Sequence, residues 1–424
     1  MPASGNIISA NSGQFSKNGT APNGHILSLP MISIISSERY PHHDTNTQQV
    51  VKNASALHEA GVPVELVLPS QAQGFFDQNF HLDQAVYDYY NIPKGLKIRE
   101  FKSVPASDYR FEKIFHSIFS TLQAIFKKDI QVIYTRNRTS ALLAFIFGKP
   151  LIFETYRRLG DEFPRAMKWL AKRSRNNAFI GMVLHSQVSA DSMEKVGFPK
   201  EKLFVLHNGY DPTDMQPVLT KKAAREKLDL SHTEQFIVYT GNMQKNKCIE
   251  VLLDIAVYLP KVKFLLVGGR EEDLERLKVY GQEIGLKDNV IFTGRQPISV
   301  VSEYLYAADV LIIPPVSAPL EKFGRTVLPF KIFPYLAAGR PIVAPDLADM
   351  RELLQHQKNA ILVKPDNPKQ NAESIDRLLK NKELQQSLAE NAASLSASLT
   401  WLERGRKFKK WIAERWALQQ RTSK

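Results

Sequence analysis

The sequence predicts an α/β fold made of two domains, each built on a parallel sheet. Three observations carry this. Short β-branched apolar runs alternate with segments of helical period, the pattern of parallel βαβ units. The pattern stops across a stretch rich in Lys, Asp and Pro, at about Asp211–Glu234, and then restarts. The length, 424 residues, is well beyond the ~150 residues of one domain. The division that follows is a disordered tail over 1–24, an N-terminal domain over 25–212, a C-terminal domain over 213–400 and a last helix over 401–424.

In chain order, MISIIS at Met31–Ser36 reads as a strand, with Ile26–Leu29 as the alternative for that place. A helix over Thr47–Ala60 and a strand at Val64–Leu68 follow. The segment Phe111–Lys127 places Phe111, Phe115, Phe119 and Phe126 on one helical stripe, which is read as core packing. Val132–Tyr134, Leu151–Phe153 and Ile180–His185 are further strands. After the break come Phe236–Tyr239, Phe264–Val267, Val290–Phe292, Val310–Ile313 and Ile342–Ala344. Trp401–Gln420 is a basic amphipathic helix carrying Trp401, Trp411 and Trp416.

Composition excludes several classes. Hydrophobic residues make up 43% and charged residues 23%, which is ordinary for a globular chain. The single cysteine, Cys248, allows no intrachain disulfide and points to a reducing compartment. No apolar run spans a bilayer, and the first apolar cluster comes too late for a secretory signal. The expected place is therefore the cytoplasm, or the inner face of the membrane as a peripheral protein. Lys plus Arg number 56 against 43 Asp plus Glu, a net charge of +13, so an anionic partner is expected. Nucleic acid is not that partner, because the basic residues follow no nucleic-acid module. An anionic membrane surface fits better: Pro164–Arg175 (PRAMKWLAKRSR) is a basic amphipathic segment with Trp169 and Leu170. Inward packing of Trp169 is the alternative.

Ligands of open parallel sheets bind beyond the carboxyl ends of the strands. Two such loops stand out. In Tyr239–Lys247 (YTGNMQKNK), Gly241 permits close backbone approach and Lys245 and Lys247 precede a helix, a setting suited to a pyrophosphate; a surface βα turn with solvated lysines is the alternative. In Leu328–Val343 (LPFKIFPYLAAGRPIV), Pro329 suits a first helical turn and Gly339 a C-cap. Together the loops could clamp a diphosphate from two sides.

These segments resemble the landmarks of family 4 retaining glycosyltransferases of the GT-B fold. Val205–Asp211 (VLHNGYD) resembles the family's interdomain motif, and Thr240–Lys247 its donor loop. Phe292–Arg295 (FTGR) with Tyr304–Pro314 (YLYAADVLIIP), and Pro329–Val343, resemble two further landmarks. Asn46–Val50 and Ala56–Gly61 resemble the acceptor-side loop and first helix. The resemblance spans about Asn46 to Trp401. It implies a GT-B architecture, with Rossmann-like sheets facing across a cleft and the last helix crossing back to the N-terminal domain. It also implies transfer of a sugar, with retention, from a nucleotide-diphosphate sugar to a glycan or lipid-linked acceptor in cell-surface polysaccharide or glycolipid biosynthesis.

On that reading Lys247 is the catalytic cation. Gly241, Asn242, Arg295, Leu328, Pro329, Phe330 and Lys331 join it in binding the donor, and Asn46, Thr47, Glu154 and Tyr156 form the acceptor side. No cofactor or divalent metal is expected; His42, His43 and Asp44 read as a polar loop. The departures from the family are specific. Asn242 stands where an arginine is usual, and Cys248 replaces a glycine. Thr326 and Pro334 occupy the positions of paired glutamates, with Glu321 nearby but out of register. Glu154-Thr-Tyr156 replaces Glu-x-His, and His185 and His207 read as packed or solvent-facing. Pro334 should kink its helix. These losses motivate an alternative: a GT-B protein that binds a nucleotide or glycan without transfer.

Overall fold

The computed structural model describes residues 28–69, 81–101, 109–176, 178–318 and 328–422. The expected tail over 1–24, Thr326 and Glu321 lie outside the described residues. Among the described residues the chain forms two wholly parallel sheets. The first has seven strands in the order β3-β2-β1-β4-β5-β6-β7 and the second six in the order β10-β9-β8-β11-β12-β13. The N-terminal strands are β1 (Ile32–Ile35), β2 (Val64–Pro69), β3 (Lys97–Phe101), β4 (Val132–Thr135), β5 (Leu151–Thr155), β6 (Phe179–Leu184) and β7 (Leu203–Val205). The C-terminal strands are β8 (Phe236–Thr240), β9 (Lys263–Val267), β10 (Val290–Gly294), β11 (Val310–Ile312), β12 (Ile342–Pro345) and β13 (Ile361–Val363). Both sheets thus have the winding of a dinucleotide-binding fold, reversing direction between β1 and β4 and between β8 and β11.

Each sheet is covered on both faces, which is why its central strands are apolar throughout rather than alternating. On one face of the N-terminal sheet the helix Thr45–Glu59 packs beside the final helix, Trp401–Thr422. That final helix leaves the C-terminal domain and ends on the N-terminal one. Trp401, Trp411 and Trp416 are buried; Trp411 stacks on Phe204 with ring centroids 5.0 Å apart, and Phe408 on Tyr134 at 5.4 Å. The helices meet so closely that a Cβ at Gly405 would lie 2.4 Å from the carbonyl oxygen of Ala56.

The chain crosses between the domains twice, side by side. Tyr210 N–H donates to the Leu399 carbonyl at 3.1 Å, and Trp401 N–H to the Tyr210 carbonyl at 3.0 Å. Gly209 permits this contact, since a Cβ there would be 2.7 Å from the backbone of Thr400 and Trp401. Beside the crossing, Glu352 of the C-terminal domain accepts from the N–H groups of Gln187 (2.8 Å) and Val188 (3.1 Å) and faces His207 Nε2 at 2.9 Å. Gln187 and Val188 open the helix Gln187–Lys195, so the carboxylate sits on the positive end of a helix dipole.

Two expectations are corrected. The aromatic stripe of helix Tyr109–Phe126 is not core: Phe111 and Phe126 are 70% and 72% exposed, and Ile114 and Phe119 are also exposed. The face turned inward carries Glu112, His116, Ser117, Ser120 and Thr121. Small hydroxyl side chains let the helix sit close, with Ser117 Oγ 2.7 Å from Ser37 Oγ. Pro334 does not interrupt a helix. The helix is short, Ile332–Ala337, and Pro334 falls in its first turn, where the missing N–H has no intrahelical acceptor in any case. No helix of the described residues is long and apolar enough to cross a membrane.

Candidate active site

The carboxyl ends of the two sheets line one cleft of about 650 Å³. Arg136, Tyr156 and His185 reach it from the ends of β4, β5 and β6, and Gly241, Gly268, Arg295 and Pro314 from the ends of β8, β9, β10 and β11. At the β8–β11 switch point the backbone is drawn tight. Gly241 has φ +134° and Gly268 +116°, and a Cβ at Gly268 would lie 2.3 Å from the Gly241 carbonyl oxygen. The loops are tied by Gly241 N–H to the Val267 carbonyl (2.9 Å) and Gly268 N–H to the Gly294 carbonyl (2.8 Å). Tyr335, buried below, accepts from Thr240 N–H at 2.8 Å.

Two lysines meet at this glycine. Lys331 extends its amine to 3.5 Å from the Tyr239 ring centroid, in a cation–π contact. The same amine is 3.1 Å from where a Cβ on Gly241 would stand. Burial, and then the neighbouring charge of Lys247, holds the Lys331 amine well below the ordinary lysine value. Among the described residues no carboxylate lies within ion-pair distance of it. Lys247 sits in the short 3-10 turn Lys245–Lys247 and lines the same cleft. Cys248, where the family usually has glycine, has φ +51°, a left-handed conformation that costs a side-chain-bearing residue about 1 kcal/mol.

Of the expected donor residues, the cleft brings together Gly241, Asn242, Lys247, Arg295, Leu328, Pro329, Phe330 and Lys331. On the acceptor side it also takes in Asn46 and Tyr156. Thr47 does not line it. That side chain is buried, its Oγ1 2.8 Å from the carbonyl oxygens of His42 and Asp44, so it holds the loop above it. Glu154 opens instead on a second cavity of about 570 Å³, which shares Asn46, Arg136 and Tyr156 with the cleft.

Glu154 is the centre of a buried network. Its carboxylate accepts from Arg404 of the last helix at 3.1 Å and from His185 Nε2 at 2.5 Å, and also pairs with the Tyr134 hydroxyl. Burial alone would raise its pKa, but Arg404 and His185 more than offset that and hold it well below the usual carboxylate range. Burial pushes His185 down to about 4, so near neutral pH the imidazole is uncharged. With Nε2–H donated to Glu154, its Nδ1 accepts from the Asn208 amide at 3.2 Å. His185 is therefore both packed and part of the cleft wall.

Sequence reasoning passed over Arg136 and read His43 only as part of a polar loop; both line the cleft. Arg136 directly follows β4, so the rule that sites lie beyond strand ends points to it. His42, His43 and Asp44 offer three ligand atoms within 4.8 Å of one another. Partial burial first, then His42 and Arg295, press His43 towards its neutral form, while Asp44 opposes them.

Fold and site together define a two-domain GT-B protein with a cationic interlobe cleft. The model for glycosyl transferases group 1 matches residues 220–395, and that for glycosyltransferase family 4 matches residues 48–214. The chain belongs to the family 4, group 1 glycosyltransferases. A D-inositol 3-phosphate glycosyltransferase of Mycobacteroides abscessus is 25% identical over 57% of this chain and 54% of its own length. The chain spans about half the length of the curated relatives it matches first. Among solved structures, sucrose-phosphate synthase from Thermosynechococcus elongatus superposes with a TM-score of 0.70 at 18% identity, over 92% of this chain and all of that one. HepE of Anabaena, solved with UDP and glucose, gives 0.65 at 16% identity, over 91% and 99%.

Proposed function

We propose that the protein transfers a sugar from a nucleotide-diphosphate donor to a glycan or lipid-linked acceptor, in the building of cell-surface polysaccharide or glycolipid. The observation that carries this is Lys331, a buried amine beside Lys247 at the Gly241 loop with no carboxylate among the described residues to balance it. A diphosphate supplies the missing charge. As the bond from the anomeric carbon to phosphate breaks, negative charge builds on the leaving oxygen, and two preplaced amines stabilise it without a metal ion. The UDP and glucose bound by HepE favour a uridine nucleotide as donor. The acceptor enters past Asn46 and Tyr156, while Glu154 and His185 brace that wall rather than take the proton. The resemblance to retaining family 4 enzymes supports transfer with retention.

The test is nucleotide release from UDP-, GDP- and ADP-sugars. One of them should be consumed, and Lys247→Ala should lower its turnover by about 100-fold or more while leaving the melting temperature unchanged. Unaltered turnover in Lys247→Ala removes the assignment of that loop. The second reading, binding without transfer, draws on Asn242 standing in place of the usual arginine. Tight nucleotide binding with no release from any donor would favour it.

A further inference from the structure

The helix Tyr109–Phe126 is built inside out. Its buried face carries Glu112, His116, Ser117, Ser120 and Thr121. Its outer face carries Phe111, Ile114, Phe119 and Phe126, all exposed. Water is a poor neighbour for such a stripe. The next helix, Arg138–Ile146, continues the ridge with Ile146 and with Phe147 at its end, whose ring meets Phe126 edge-on at 6.1 Å.

Both helices belong to one layer, over the same face of the N-terminal sheet as the helix Pro164–Arg173. That third helix shows a 49% exposed Trp169, with the Arg173 guanidinium 3.9 Å from its ring centroid. Exposed Arg165, Lys168 and Lys172 surround it, and among the described residues none of them forms an ion pair. An apolar ridge beside a cationic, Trp-bearing helix matches the boundary between acyl chains and anionic headgroups. Phe111 and Phe126 are about 22 Å apart along the helix axis, so the ridge lies along a surface rather than piercing it. Ile114, on the ridge, also lines the second cavity with Asn46 and Glu154.

We propose that this helical layer docks on an anionic lipid bilayer, so that the acceptor-side cavity opens at the membrane surface. The inference rests on the transferase reading only for calling that cavity the acceptor's. The docking itself stands on the surface.

The test is flotation of the full chain with phosphatidylcholine vesicles and with vesicles that also carry phosphatidylglycerol. The protein should float with the anionic vesicles, and about tenfold less with the neutral ones. Phe111→Ser/Phe126→Ser and, separately, Lys168→Glu/Lys172→Glu should each weaken binding by about tenfold or more. Uridine nucleotide binding and melting temperature should not move, because all four side chains are exposed and outside the cleft. If the transferase reading fails, nucleotide release is lost and flotation remains. Docking is overturned if the wild type stays unbound with anionic vesicles, or if both double variants float as it does. It is also overturned if light scattering finds a dimer that Phe111→Ser/Phe126→Ser dissociates, because a second copy then covers the ridge.

Discussion

Lys331 sets charge against burial, and the conflict has a measurable consequence. Its amine is held well below the ordinary lysine value, by burial first and Lys247 second. A bound diphosphate favours the charged form and raises that value again. Between the two values, binding takes up a proton, so nucleotide affinity should fall as pH rises through the window, by up to about tenfold per pH unit. Calorimetry in buffers of unlike ionisation enthalpy should show proton uptake in the wild type and none in Lys331→Met. A buffer-independent enthalpy in the wild type would contradict the account. The sequence brought Gly241, Lys247 and Lys331 forward only as a pair of loops beyond strand ends, since either loop alone also reads as an ordinary surface turn or helix; the structure sets them on one cleft. The sequence places Thr47 and Glu154 near the strand ends but not the side they turn to. Thr47 turns under its loop and Glu154 into a second cavity.

At the scale of elements, Gly405 shows why a helix sits where it does. An interior helical glycine replaced by alanine ordinarily gains about 1 kcal/mol. Here the added methyl would meet the Ala56 carbonyl at 2.4 Å, so Gly405→Ala should instead destabilise by about 1–3 kcal/mol. Urea unfolding reads the sign directly, and a stabilised variant would mean the two helices part easily. The central strands were legible because burial on both faces leaves unbroken apolar runs. Those the sequence hid are β3, β7 and β13, all at sheet edges. There one side is open, so β3 can read KIREF and the others last only three residues. Periodicity likewise finds the stripe of helix 109–126 but cannot say which face turns inward.

At the scale of the molecule, Glu352 fastens one lobe to the other through two amides and His207. Glu352→Ala should weaken that contact by about 1–3 kcal/mol and enlarge the nucleotide-free radius of gyration in small-angle scattering. Glu352→Gln, which keeps one acceptor, should fall between. A profile unchanged in both variants would assign the lobe arrangement to the crossing alone. That crossing has its own effect on motion. A lone connecting strand lets two bodies swivel and slide as well as close. Two strands joined at Tyr210 and pressed together at Gly209 act as a door hinge: one axis remains, and twisting about the connection is suppressed. A swing about that axis is expected to bring Lys247 and Tyr156, which line one cleft, back to a single alignment set by the backbone rather than found again by diffusion.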